Sequence, residues 1–193
     1  MALVYASRES LEDSALLEDT IVNALYKRLA NEVDRVMLRG SGVAPEPKGL
    51  RFADNVPTAA LGAAVSNTVL AGAVYDVRNA GFEPNGIVMS HRDHKKYMTE
   101  VSSADDQPLQ VLPYIAGIPV YGTSQIPTNI EIGSPAVQNT SEIYVGDWSK
   151  LILGVRSDLQ LDVSPYSGDT FAKNQVAIRL VGRFSVGVLN PTA

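Results

Sequence analysis

LEDSALLEDTIVNALYKRLANEVDRVMLR, residues 11–39, is the stretch whose reading decides the fold. Leu11, Ala15, Val22, Leu25, Leu29, Val33 and Val36 recur at spacings of three, four or their sum, which is the 3.6-residue period of an amphipathic helix. Ser10, Glu12 and Asp13 open the helix, and Gly40 and Gly42 stop it. Acids (Glu12, Asp13, Glu18, Asp19) fill its first half and bases (Lys27, Arg28, Arg35, Arg39) its second, an order that suits the helix dipole at both ends. At 1.5 Å per residue it would run roughly 43 Å, so something equally long is expected beside it. The last strand fits. Val176, Ile178, Leu180, Gly182, Phe184, Val186 and Val188 alternate with Gln175, Arg179, Arg183 and Ser185, giving one apolar and one polar face over roughly 43 Å. The two are expected to lie side by side as a scaffold that brings the chain ends into one subdomain.

Between these two elements the signals are shorter. Residues 40–57 hold glycine, serine and proline breakers and read as an ordered crossover. Thr58 is the expected N-cap of a second helix running to about Ala80, with Gly81 as its stop and Ala63, Ala64, Ala71 and Ala73 allowing close packing. A short buried strand is expected over 87–89, followed by a helix that Ser90 and Asp93 open as a capping box and that runs to about Val101. A strand at 118–121 and a loop containing Pro127, Gly133 and Pro135 come next. Strands follow at 142–145, 151–156 and 160–164, with turns at Gly146-Asp147 and Ser157-Asp158.

The 193 residues, 45% of them hydrophobic, suffice for one large domain or two small ones. A net charge of -5 without a dense Lys/Arg run argues against a protein that grips nucleic acid by neutralising phosphates. The chain has no cysteine, which removes disulfides and thiolate metal sites. Residues 1–6 form an apolar run without a basic region before it, unlike a signal peptide, so folding in the cytosol is expected. The most membrane-like window, 58–77, contains Ser66, Asn67, Thr68 and Asp76 and reads as a buried globular helix.

Candidate chemistry is sparse. His91, Asp93 and His94 are the one cluster of metal-ligating types, but zinc needs three or four convergent ligands, and His91 and Asp93 at a helix start face different ways. An exposed polar helix start is the more economical reading, and no metal, cofactor or catalytic residue is assigned. No G-x-S-x-G elbow is present. Gly40-Ser41-Gly42 follows a helix, where phosphate loops follow a strand. Asp105 and Asp106 read as solvated charge in a loop, and Trp148 as a packing residue beside a turn.

Several segments together carry a family resemblance: Leu38-Arg39-Gly40-Ser41-Gly42 with Pro47-Lys48-Gly49-Leu50, then Gly86-Ile87-Val88-Met89-Ser90-His91-Arg92-Asp93, then Gly117-Ile118-Pro119-Val120. Gly146-Asp147-Trp148 and Asp169-Thr170-Phe171, continuing through Arg179 and Arg183 to Pro191 and Ala193, keep the same order. Read together they resemble the major capsid proteins of tailed phages, the Hong Kong 97-like fold. That resemblance implies an α+β chain whose long helix is the capsid spine, packed beside the closing strand. Residues 1–56 and 155–193 would form the peripheral domain and residues 57–154 an inserted axial domain. It further implies a non-enzymatic subunit that joins copies of itself, as hexamers and pentamers, into an icosahedral shell. Such a shell encloses DNA without binding it specifically, has no membrane association, and can meet scaffolding, portal or decoration proteins. The subunit would be made in the bacterial host cytoplasm and end in the virion.

An encapsulin-like compartment is the alternative within the fold, and a small hydrolase or ligand-binding protein using His91 and His94 the alternative outside it. Family members carry an N-terminal arm and an extended loop ahead of the spine helix, where this chain has about ten residues. The 193 residues alone are therefore expected to form monomers or small rings. Some members lock the shell by joining an asparagine, in an Asp-x-Phe-x-Lys-Asn context, to a lysine of another subunit, assisted by a glutamate seven residues on. Asn174 occupies the matching place, but Val181 stands where the glutamate would be. A base is needed to free the lysine's lone pair, so no cross-link is expected.

Overall fold

The computed structural model describes residues 1–60, 65–99, 114–132 and 137–193. The first element is a strand, β1 (Ala2–Ser7), where the sequence shows only an apolar run. The expected long helix follows, but in two pieces, α1 (Arg8–Asp13) and α2 (Ala15–Arg39). Ser14 between them is extended at φ -133° and ψ 102°. Asp13 and Ser14 both favour caps and turns over helix interiors, and α1 buries no residue whose packing would hold the helix continuous. Gly40 does end α2, because Pro47 and Gly49 fold back on it. A Cβ at Gly40 would lie 2.2 Å from the Pro47 carbonyl oxygen, and one at Gly49 would lie 2.3 Å from the Gly40 nitrogen.

Two sheets organise the rest. The first has the order β1-β9-β8, where β8 is Leu151–Ser164 and β9 is Gln175–Val188. All its pairings are antiparallel, with Val4 opposite Ile178 and Ile178 opposite Val163. The second has the order β3-β4-β2-β7, made of β3 (Tyr114–Ile115), β4 (Ile118–Thr123), β2 (Gly86–Ser90) and β7 (Ile143–Gly146). There β2 runs parallel to β4 and antiparallel to β7. A small ribbon of β5 (Ile130–Ile132) and β6 (Val137–Thr140) occupies part of the expected Pro127 to Pro135 loop.

Helix α3 is Asn67–Asn79, not a helix from Thr58. Its N-cap is Ser66, whose hydroxyl accepts from the Val69 amide, while Thr58 lies in irregular chain. Helix α4 is His91–Met98, capped by Ser90 as expected; its expected end at Val101 lies outside the described residues. The expected turn at Ser157-Asp158 is not a turn. The two short strands expected there are one strand, β8, which gains two residues on β9 at that point: Val155 lies opposite Phe184 and Gln160 opposite Val181, five steps against three. Serine and aspartate signal a bulge here where they read as a turn. The expected domain boundary between Gly154 and Val155 therefore falls inside a strand that pairs with β9 on both sides of it.

The hydrophobic core is divided. One cluster joins Leu70 and Val74 of α3, Ile87 and Met89 of β2, Tyr97 of α4, Ile115 and Ile118. A second packs Leu25 and Leu29 of α2 on Ile178 and Leu180 of β9, flanked by Ile21, Val33, Ala2 and Val4. Helix and last strand thus lie together as expected, but only over the first half of the strand. Beyond Leu180 the even positions Phe184, Val186 and Val188 are half-buried. The third cluster, Leu38, Ile126 and Tyr144 with Leu50, Val88 and Trp148, joins the end of α2 to the second sheet.

Candidate functional site

The histidine segment takes its shape from Asp93. Its carboxylate is buried at 3% exposure, so the helix start is not the fully exposed one expected. The Ser90 hydroxyl accepts from the Asp93 amide at 3.2 Å and donates to Asp93 Oδ2 at 2.7 Å. Ser141 and Arg92 also donate to this carboxylate. Burial pushes the Asp93 carboxyl up, but the hydrogen bonds from Ser141, Ser90 and Arg92 outweigh it and hold the group below its ordinary value. Arg92 also donates to the carbonyls of Thr128 and Asn139, at 2.7 and 2.8 Å. Asp93 is therefore a tie between α4, the start of β7 and the β5–β6 ribbon, fully occupied by structural partners.

His91 and His94 do turn the same way. A Cβ on Gly122 would sit 2.8 Å from His91 Nδ1 and 3.3 Å from His94 Nδ1, so both imidazoles rest against the β4 backbone. No third ligand joins them: among the described residues no group of three or more His, Asp or Glu side chains could hold a metal ion. Trp148 is a packing residue. Its indole N–H donates to the Gly86 carbonyl at 3.0 Å and its ring covers Gly86, where a Cβ would lie 2.9 Å from the ring. Asp105 and Asp106 lie outside the described residues.

A cluster missed by the sequence reading joins the end of α2 to the second sheet. Glu142 accepts from Arg51 Nε at 2.7 Å and from the Tyr144 hydroxyl at 2.8 Å. Arg39 Nε lies 3.0 Å from its other oxygen, a charge contact without an aligned N–H. Burial first, then the hydrogen bond to Glu142, pushes the Tyr144 phenol well above its ordinary value. These residues come from positions about 90 to 100 apart in the chain, and no local motif announces them.

What remains open is the first sheet. α2 covers β1 and β9 but not β8, whose residues Leu153, Val155, Leu159, Leu161 and Val163 are all exposed, Val155 at 52%. The opposite face carries a hollow of about 390 Å³ lined by Met1, Leu3, Asp162, Ser164, Ala177 and Arg179. At the tip between β8 and β9, Tyr166 and Phe171 stack at 6.4 Å while exposed at 75% and 79%. Apolar surface of this extent is what subunit contacts use. Asn174, at the foot of the same tip, has φ +50°, and its amide nitrogen donates to Glu9 of α1 at 3.1 Å. A carboxylate therefore does stand beside Asn174, supplied by α1, although position 181 has none.

Residues 1–193 match the phage capsid family along their whole length. The chain belongs to the phage capsid family. A curated relative, the major capsid protein of Enterobacteria phage HK97, is 27% identical over 194 residues, which cover 98% of this chain and 48% of that protein. The chain thus spans about half the length of the curated relative it matches. Among solved structures, one from Mycobacterium phage Ogopogo superposes with a TM-score of 0.75 at 20% identity, covering all of this chain and 72% of that one. A chain from the capsid of an empty GTA particle gives a TM-score of 0.71 at 21% identity, with 100% and 69% covered. One from Gordonia phage Cozz gives 0.72 at 20%, with 100% and 66% covered. These likenesses show the fold, the α+β Hong Kong 97-like capsid fold that the sequence motifs resemble. None of the described helices is long and apolar enough to cross a membrane.

Proposed function

We propose that this chain is a shell subunit: a structural, non-enzymatic protein that repeats itself into an icosahedral container for phage DNA. The observation that carries the reading is the family match across residues 1–193. The uncovered apolar side of β8 and the exposed Tyr166–Phe171 pair support it, because contiguous exposed apolar surface is what contacts with further subunits bury. Residues 1–56 and the chain from β8 onward serve as the peripheral domain and residues 57 to 150 as the axial domain, which moves the expected boundary at 154–155 to the start of β8. Copies close under symmetry into hexamers and pentamers, with scaffolding, portal or decoration proteins as further partners. The subunit is made in the bacterial cytoplasm and ends in the virion. With a charge of -5, the wall encloses DNA without gripping it.

Light scattering over a concentration series, with negative-stain microscopy, tests this. Monomers or small symmetric rings of these 193 residues are expected. Open, unsymmetric polymers as the sole oligomers would overturn the reading.

A further inference from the structure

Strand β8 reads almost the same from either end. With Ser157 as the centre, Leu151 stands against Val163, Leu153 against Leu161, Val155 against Leu159 and Arg156 against Asp158. Apolar residues fall on apolar ones, and the two charges nearest the centre are opposite in sign. β8 is also an outer strand: β9 pairs with one of its edges and no described strand with the other. None of its positions is buried, and most are exposed.

We infer that β8 is a two-fold docking edge for a second copy of this chain, pairing antiparallel with Ser157 on the dyad. The inference deepens the self-association reading above and rests on it. In an antiparallel pair, residues directly opposite each other share a face, so the register must set like faces together. It does so. Val163 and Leu161 lie opposite Ile178 and Leu180, and Val155 and Leu153 lie opposite Phe184 and Val186, all even positions of β9. The two residues that β8 gains between 155 and 160 add to an even shift, so both arms of the strand keep their apolar side chains on the α2 face. The bulged part coincides with the dyad and leaves the regular stretches 151–154 and 160–163 to pair crosswise. Bulges usually protect an edge from pairing; here they stand only where the two copies cross.

Charge selects the second copy over other partners. Each pairing sets Arg156 of one copy against Asp158 of the other, twice by symmetry. Among the described residues Arg156 and Asp158 form no ion pair, whereas Asp162, the third charge on the strand, is matched by Arg179 at 2.7 Å. The poorest match, Ile152 against Asp162, therefore faces a charge already neutralised within its own chain. The paired dimer is one six-stranded sheet with both α2 helices on the same side.

Charge reversal tests the contact on the 193-residue chain. Arg156→Asp alone sets two acids against each other at each crossing, and Asp158→Arg alone two bases. Each is expected to weaken dimerisation about tenfold, as two like-charge cross-strand pairs do. The double variant Arg156→Asp/Asp158→Arg should restore it, and no merely folding-related effect predicts that rescue. Independently, Ser157→Cys in this cysteine-free chain places the two thiols of a dimer on the dyad itself, where symmetry brings identical residues together within reach of a disulfide. A covalent dimer is expected on a non-reducing gel, and not for Ser185→Cys, an exposed position on β9. A double variant as weak as the singles, singles as strong as the wild type, or equal cross-linking at 157 and 185 overturns the inference. If oligomers persist under those outcomes, the shell reading stands without this contact; a wild type that stays monomeric ends this inference alone.

Discussion

Replacing Glu142 by Gln tests whether the junction between α2 and the second sheet is held by charge. The carboxylate serves Arg39, Arg51 and Tyr144 at once, and its side chain is 13% exposed. Glutamine keeps one acceptor oxygen, so at least one of the three partners loses its match. Arg51 is 38% exposed and regains water, so its loss is worth less than about 0.5 kcal/mol. Arg39 is 23% exposed and keeps part of its charge dehydrated, for about 1 to 2 kcal/mol. An unmatched phenol on Tyr144 adds about 1 kcal/mol. The expected loss is then about 2 to 3 kcal/mol, or roughly 4 to 12 °C in Tm for a chain of this size. Urea unfolding followed by fluorescence is well suited, because Trp148, the sole tryptophan, packs in the same junction. A variant within about 0.5 kcal/mol of wild type, with unchanged tryptophan emission, would refute the reasoning and leave the junction held by Leu38, Ile126 and Tyr144 packing alone.

The same junction has an alkaline signature. The Tyr144 phenol ionises less readily folded than unfolded, so stability should be level below about pH 10 and fall above it, less so in Tyr144→Phe by pH-dependent thermal melts. Asp93 has the opposite sign: its carboxyl is held low when folded, so its contribution is present above about pH 4 and lost as pH falls further, and Asp93→Asn should lower stability at pH 7 while flattening the acid limb. Leu180→Ala, at a fully buried position, is expected to cost about 2 to 5 kcal/mol, and Val186→Ala, half-buried beyond the helix contact, under about 1 kcal/mol; equal losses would contradict the one-ended packing of α2 on β9. His91→Ala with His94→Ala should leave fold and metal content unchanged; bound zinc or nickel lost in the double variant would contradict this.

Long-period patterns were legible in the sequence because one physical cause made them. Leu25, Leu29 and Val33 repeat at four residues because a single strand pair lies under α2, and Ile178 and Leu180 alternate because β9 has one covered face. Local chemistry was legible where one side chain decides it, as with Ser90 at α4. It misled where two residues offer the same chemistry. Thr58 and Ser66 are both competent caps, and the choice falls to Ser66 because Leu70 and Val74 reach the core from there. Ser157-Asp158 has turn composition, yet β9 runs on beside it and the chain bulges instead. β1 escaped notice because Leu3 and Tyr5 point outward as apolar as Ala2 and Val4 point inward, which removes any alternation. Glu142, Arg39 and Arg51 meet only in three dimensions. Of the candidate surface, the apolar residues of β8 were visible, but that α2 leaves them uncovered was not.

The pairing of α2 with β9 also governs how the protein is made. Leu25 and Leu29 leave the ribosome about 150 residues before Ile178 and Leu180, roughly 7 to 30 s earlier at ~5 to 20 residues per second. β1 waits as long for the partner that hydrogen-bonds it. The second sheet and α3 have every residue they need once Gly146 has emerged, about 30 residues before Ile178. The middle of the polypeptide is therefore positioned to fold while the beginning stays open. Each nascent chain carries an unfinished helix with a bare apolar stripe until β9, Gln175–Val188, emerges. On polysomes, where many such chains ripen side by side, that interval is when a chaperone, or a neighbour's β9, could claim the stripe first.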